Sequence, residues 1–142
     1  MAREYNVRNG GVPTISLGLY NVNSLNFAPY TVVATAAPGT VLTQGDIDRF
    51  ELFTVAQTSA ATDLVLLPVV APIGTKVHFV ATSVARIKAG ANGSGLTING
   101  AADTLSVPLV VGGLAEFTKI SATNWMCQQF SAAGAVTAPT PS

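Results

Sequence analysis

The residues able to do chemistry in this chain are few and scattered. Gly90-Ala91-Asn92-Gly93-Ser94-Gly95-Leu96-Thr97 has the glycine spacing of a phosphate-binding loop, but Leu96 stands where that loop needs lysine. A helix N-terminus should also follow such a loop. Here a strand-like LTING follows, so the glycines read as a flexible turn. Asn92-Gly93-Ser94 is formally a glycosylation sequon, yet MAREYNVRNG lacks the apolar core of a secretory signal. Asp46 and Asp48, beside Arg49, supply too few oxygens for a calcium loop and read as a solvated turn. His78 and Cys127 are the single histidine and the single cysteine, so no protein zinc site can be assembled from them. Cys127 follows Trp125 and Met126 in a strand, with no helix N-terminus to lower its pKa. The expectation is a protein that is not an enzyme and uses no cofactor and no metal.

Composition points the same way. Of 142 residues, 49% are hydrophobic and only 10% are charged, against roughly 25% charged in an average soluble domain. Lys plus Arg and Asp plus Glu are both 7, so the formal net charge is zero. Weak repulsion between copies favours association. Neutral charge argues against nucleic acid, which demands a basic face. The apolar run from Leu64 to Ile73 is broken by Pro68 and Pro72 and falls short of the ~20 residues of a membrane span. A lone cysteine forms no internal disulfide, so a reducing cytoplasm is the expected site of synthesis.

The elements that must position any site are strands. Period-two patterning predicts strands over 14–20, 27–34, about 50–55, 63–67 and a long run from Thr75 to Ala89. Thr43 caps a single helical turn through Asp46 before the third of these. Asn99-Gly100 is the favoured pair of a two-residue hairpin. Gly112-Gly113 and Thr123-Asn124 offer further turns, and a closing strand carries Trp125. No stretch sustains a helical apolar stripe. The expected fold is all-β: a compact β-sandwich or barrel, jelly-roll-like or β-tulip-like. Its predicted organisation is an extended N-terminal arm (1–13), a single β domain (14–130) and a short flexible tail (131–142), the last either mobile or lying on a partner.

Ile98-Asn99-Gly100, Thr104-Leu105, Gly112-Gly113 and Thr123-Asn124-Trp125 together resemble a small β module of tailed-bacteriophage structural proteins. LTQGDIDRFELFTVAQ, DLVLLP and GTKVHFVATSVARI are similar to the strands that precede it, so the resemblance covers about residues 40–130. It implies a virion protein. A head decoration (cement) protein on the capsid exterior is the expected role, with the major capsid protein as partner. A small tail-fibre, head-fibre or receptor-binding subunit is the alternative, and a carbohydrate-binding sandwich a more distant third.

Two sets of residues are singled out for contacts. In the arm, Arg3, Tyr5, Val7 and Arg8 alternate in a way that suits strand addition to a neighbouring subunit, with the arginines pairing capsid carboxylates. An edge strand of the same domain is the plainer reading. Trp125 and Phe117 serve either as a lid on the domain's own core or in self-association, with a trimer expected before a dimer. No nucleic-acid or membrane partner is expected.

Overall fold

The computed structural model describes residues 29–50, 52–58 and 60–142. The strands in chain order are β1 (Tyr30–Ala34), β2 (Thr40–Val41), β3 (Leu52–Gln57), β4 (Leu64–Leu66), β5 (Lys76–Ala81), β6 (Arg86–Lys88), β7 (Thr97–Ile98), β8 (Val107–Pro108), β9 (Leu114–Lys119), β10 (Asn124–Phe130) and β11 (Val136–Thr137). One short helix, α1 (Gln44–Arg49), lies between β2 and β3. Its start is the expected capping box: Thr43 Oγ1 accepts from Asp46 N, and Asp46 Oδ2 accepts from Thr43 N at 2.9 Å.

The fold is nearly all-β, but its first half is built from coils rather than hairpins. β1, β3 and β5 pair in parallel in one sheet, and β2, β4 and β6 pair in parallel in another. The chain therefore alternates between two sheets and stacks one coil on the next, as in a short β-solenoid. After β6 the direction reverses: β8 is antiparallel to β6, and β9 is antiparallel to β5. Only then does a hairpin follow, joining β9 to β10 with Lys119 opposite Trp125.

Like residues stack because the coils are in register. Phe53 sits beside Phe79, and Val55 beside Ala81. Ring centroids run 5.7 Å from Phe53 to Phe79 and 5.6 Å from Phe79 to Phe117, an aromatic column at the centre of the core. Val65 and Ile87 of the smaller sheet, with Leu67 just past β4, close the core from the other side.

The run from Thr75 to Ala89, expected as one strand, is two. Between β5 and β6 the chain turns a corner at residues 82–85 and changes sheets. No glycine or proline marks the place. The corner is held instead by hydroxyls: Thr82 Oγ1 donates to Val55 O at 3.0 Å, and Ser83 Oγ accepts from Gln57 N at 2.9 Å. Residues 131–142, expected as a tail, run back over their own domain. β11 pairs with Gln129 and Phe130, and Ser142 exchanges backbone hydrogen bonds with Ser106.

The corner between β1 and β2 depends on Gly39, whose φ of +101° suits glycine alone. A Cβ there would lie 2.4 Å from Leu66 Cδ1 and 2.8 Å from Leu64 Cβ, inside the next coil. Gly39→Ala is expected to destabilise the domain by about 2–4 kcal/mol, measured as a lowered urea midpoint with unchanged slope.

Candidate functional surface

The outward face of the larger sheet is a grid set by strand register. One row runs Thr31, Thr54, Val80, Leu114 and Phe130; the next runs Leu52, His78, Glu116 and Gln128. Lys76, Thr118 and Met126 form a third. β9 alternates without exception, Leu114, Glu116 and Thr118 outward and Ala115, Phe117 and Lys119 inward.

The ionisable residues on this face are gathered at Glu116. Lys76 Nζ donates to Glu116 Oε2 at 3.1 Å, and His78 Nε2 lies 3.1 Å from the same oxygen. The Lys76 hydrogen bond, joined by that of His78, holds the Glu116 carboxyl below its ordinary value. The cluster is a flat surface network between Leu52 and Gln128, and its chemistry is charge pairing. No group of three His, Cys, Asp or Glu is placed to hold a metal among the described residues.

Apolar residues project at the end of the sheet where β5 begins. Val70 is 83% exposed and Ile73 is 67% exposed, with Val69 beside them and Ile120 in the neighbouring β9–β10 turn. Gly74 N donates to Lys119 O, and Lys119 N donates to Thr75 O, so the loop that carries these side chains is tied to β9. Sequence reading ended the strand at Pro68 and took the residues beyond it as a connection, without singling out their apolar side chains. Pro68 stops the strand pattern after β4, and the valines beyond it leave the core.

Trp125 and Phe117 are 0% exposed, packed in the domain's own core. Neither presents a surface to a second copy, and the indole is not available as a platform for stacking a sugar. Arg3, Tyr5, Val7 and Arg8 lie outside the described residues, as does the strand expected at 14–20.

Beside Trp125 sits a group that sequence reading did not single out. Lys119 is 1% exposed, its ammonium lies 5.3 Å from the centroid of the Trp125 indole, and neither Nζ nor the indole Nε1 has a hydrogen-bond partner among the described residues. Burial holds the Lys119 pKa below its ordinary value. The indole face offsets part of the desolvation cost, by about 0.5–2 kcal/mol. Burial also pushes the Cys127 thiol up to about 12, so Cys127 behaves as a small core hydrophobe.

Comparison with protein-family models and with curated proteins finds no match to this chain.

The buried groups give two expected outcomes. Lys119→Met should raise stability at pH 7 by about 1–2 kcal/mol, since it replaces an unpaired buried charge with an apolar chain of similar length. In the native chain Lys119 loses its proton below the ordinary lysine value of 10.5. In that window the unfolded state binds more protons, so native stability rises with pH, and Lys119→Met removes that rise. Urea titrations from neutral to alkaline pH measure both effects. Cys127 is expected to stay unlabelled by a maleimide in the folded protein and to label fully in denaturant, followed by mass spectrometry.

Proposed function

We propose that this chain is a decoration subunit of a tailed-phage head, bound outside the assembled shell across neighbouring capsid subunits. The observation that carries the reading is the projecting apolar patch of Val69, Val70, Ile73 and Ile120. Exposed apolar groups of this kind mark interaction sites. Because the loop is tied to β9, docking it loses little conformational freedom. The two facing sheets serve, sandwich-fashion, as the platform, and the resemblance of residues 40–130 to phage virion modules supplies the context.

A subunit of this kind stabilises by binding the assembled state and not the dissociated one. It is made in the bacterial cytoplasm and resides on the virion exterior, with the major capsid protein as partner. Zero formal charge favours self-association, and a trimer matches the three-fold sites of a shell.

The test has two parts. In purified particles, quantitative mass spectrometry is expected to find this chain in simple ratio to the major capsid protein. A few copies per particle would make it a fibre or tail subunit, and absence from the particle would end both readings. Val70→Asp combined with Ile73→Asp is expected to abolish most capsid occupancy while moving stability by less than about 0.5 kcal/mol, the range of exposed substitutions.

A further inference from the structure

Asn92-Gly93 and Asn99-Gly100 place the same dipeptide twice in one stretch of chain. A third pair, Asn9-Gly10, lies outside the described residues. The dipeptide is chemically labile because glycine has no Cβ to shield its nitrogen or to restrict its φ and ψ. The backbone nitrogen after the asparagine is then free to reach the side-chain amide carbon and close a cyclic imide. Solvent exposure does not separate the two described pairs, since Asn92, Gly93, Asn99 and Gly100 are all exposed. What separates them is whether the reacting groups are engaged.

At Asn99 every reacting group is held. Oδ1 accepts from Cys127 N at 2.8 Å, and Nδ2 donates to Cys127 O at 3.3 Å and to Pro139 O at 3.1 Å. The nucleophile is held as well, Gly100 N donating to Asn124 Oδ1 at 3.2 Å. Thr97 Oγ1 donates to that same oxygen at 2.8 Å, fixing the acceptor. Ring closure here requires the Asn99 side chain to leave the outer edge of β10, which it covers between β7 and β11. Asn92 is the opposite case. Its turn is closed by Ser94 N donating to Ala91 O at 3.1 Å, with Asn92 and Gly93 at the central positions. Neither the Asn92 side chain nor Gly93 N has a hydrogen-bond partner among the described residues. Gly93 has a φ of +81°, and a Cβ built on it would meet nothing within 4 Å. The backbone at this pair has room to turn into the ring.

From this contrast we infer that Asn92 is a site of spontaneous deamidation in the folded protein, while the fold protects Asn99. Solvent base takes the proton of Gly93 N, and that nitrogen attacks Asn92 Cγ. The N–Cγ bond forms, the Cγ–Nδ2 bond breaks, and the proton returns through solvent to Nδ2, which leaves as ammonia. Water then opens the imide at either carbonyl, leaving aspartate or isoaspartate at position 92. Either product puts a new carboxylate on a chain whose formal net charge is zero. Net charge away from zero opposes association between copies. The change stays local, because the loop is anchored just beyond it, where Gly95 N donates to Asp103 Oδ2 at 2.8 Å. At Asn99 the same exchange would remove the donor to Cys127 O and Pro139 O, so protection there keeps the β10 edge closed.

The unaltered full-length protein tests this in mildly alkaline water enriched in heavy oxygen, which marks each amide converted during the incubation. Trypsin, used afterwards in ordinary water, releases both pairs on one peptide, residues 89–119, so fragment masses compare them within one molecule. In the folded protein Asn92 is expected to convert at least about tenfold faster than Asn99, which reacts only from locally opened states. In denaturant the two rates should fall within about threefold of each other, since local opening no longer divides them. Isoaspartate at position 92, seen as a separately eluting peptide of the same mass, is expected alongside aspartate. Equal rates in the folded protein, or an inert Asn92, would overturn the inference. So would an equally large preference for Asn92 in denaturant, which would assign the difference to neighbouring residues and not to the fold. Aspartate without isoaspartate would overturn the imide route.

Discussion

Parallel register between successive coils is the constraint on which the rest of this structure depends. Once Leu52 lies beside His78 and Leu64 beside Arg86, every coil must present apolar side chains at the same inward positions and change sheets at the same height. The aromatic column meets the first demand. The corners meet the second with polar groups that take over where the ladders stop. At the β3–β4 corner the buried Asp63 carboxylate accepts from Thr58 N at 2.9 Å and from Thr58 Oγ1 at 2.7 Å, while Asp63 O accepts from Arg86 N of the next coil. One residue thus closes its own turn and sets the height of the following one. The donors gathered on Asp63 Oδ2 offset part of the cost of burying the carboxylate.

The same logic explains why the few charges are not all at the surface. Arg86 and Lys88 lie on β6, whose outer neighbour β8 is only two residues long. Arg86 Nε donates to Ser106 Oγ at 2.7 Å, and its guanidinium also reaches Ser106 O and Ser142 Oγ. Lys88 Nζ donates to Asp103 O. These long side chains tie the smaller sheet to the irregular crossing between β7 and β8, where backbone pairing is short. Burial lowers the Lys88 pKa and the Asp103 charge opposes that shift; burial lowers the Lys119 pKa too, and among the described residues its ammonium lies against the Trp125 indole face.

The features legible in the sequence were local ones. The Thr43–Asp46 cap, the alternation of β3 and β9, and the positive φ of Asn99 and Gly100 all come from residue type over a few positions. Pairing partners were not legible. Asn99-Gly100 makes a tight turn, with Ala101 N donating to Ile98 O, yet β7 pairs in parallel with distant β10 and not with the residues just past the turn. The coil repeat was obscured because its spacing varies between 22 and 26 (Leu64 to Arg86, Phe53 to Phe79) and because each corner is closed by different chemistry. The 82–85 corner left no trace, since Thr82 and Ser83 also suit a strand. The projecting patch was hidden because a connecting segment carries no periodicity from which to tell which of its apolar side chains are exposed.

Asn99 shows how much depends on closing a coil stack. β7 is two residues long, and a ladder that short leaves the middle of β10 uncovered. A primary amide carries an acceptor and two donors with nearly the spacing of a backbone amide, so it can stand in for a further strand residue. Asn99 does this, binding both polar groups of Cys127 and also Pro139 O, which draws residues after β11 onto the same edge. The positive φ is what aims it: with φ at 53° the chain leaves the ladder while the side chain stays in it. Aspartate would lack the donors, and glycine would keep the turn but open the edge. A short, weakly charged β protein with apolar residues on its surface must close such edges to avoid pairing indiscriminately. At this covered edge, contacts are then left to side chains rather than to the backbone.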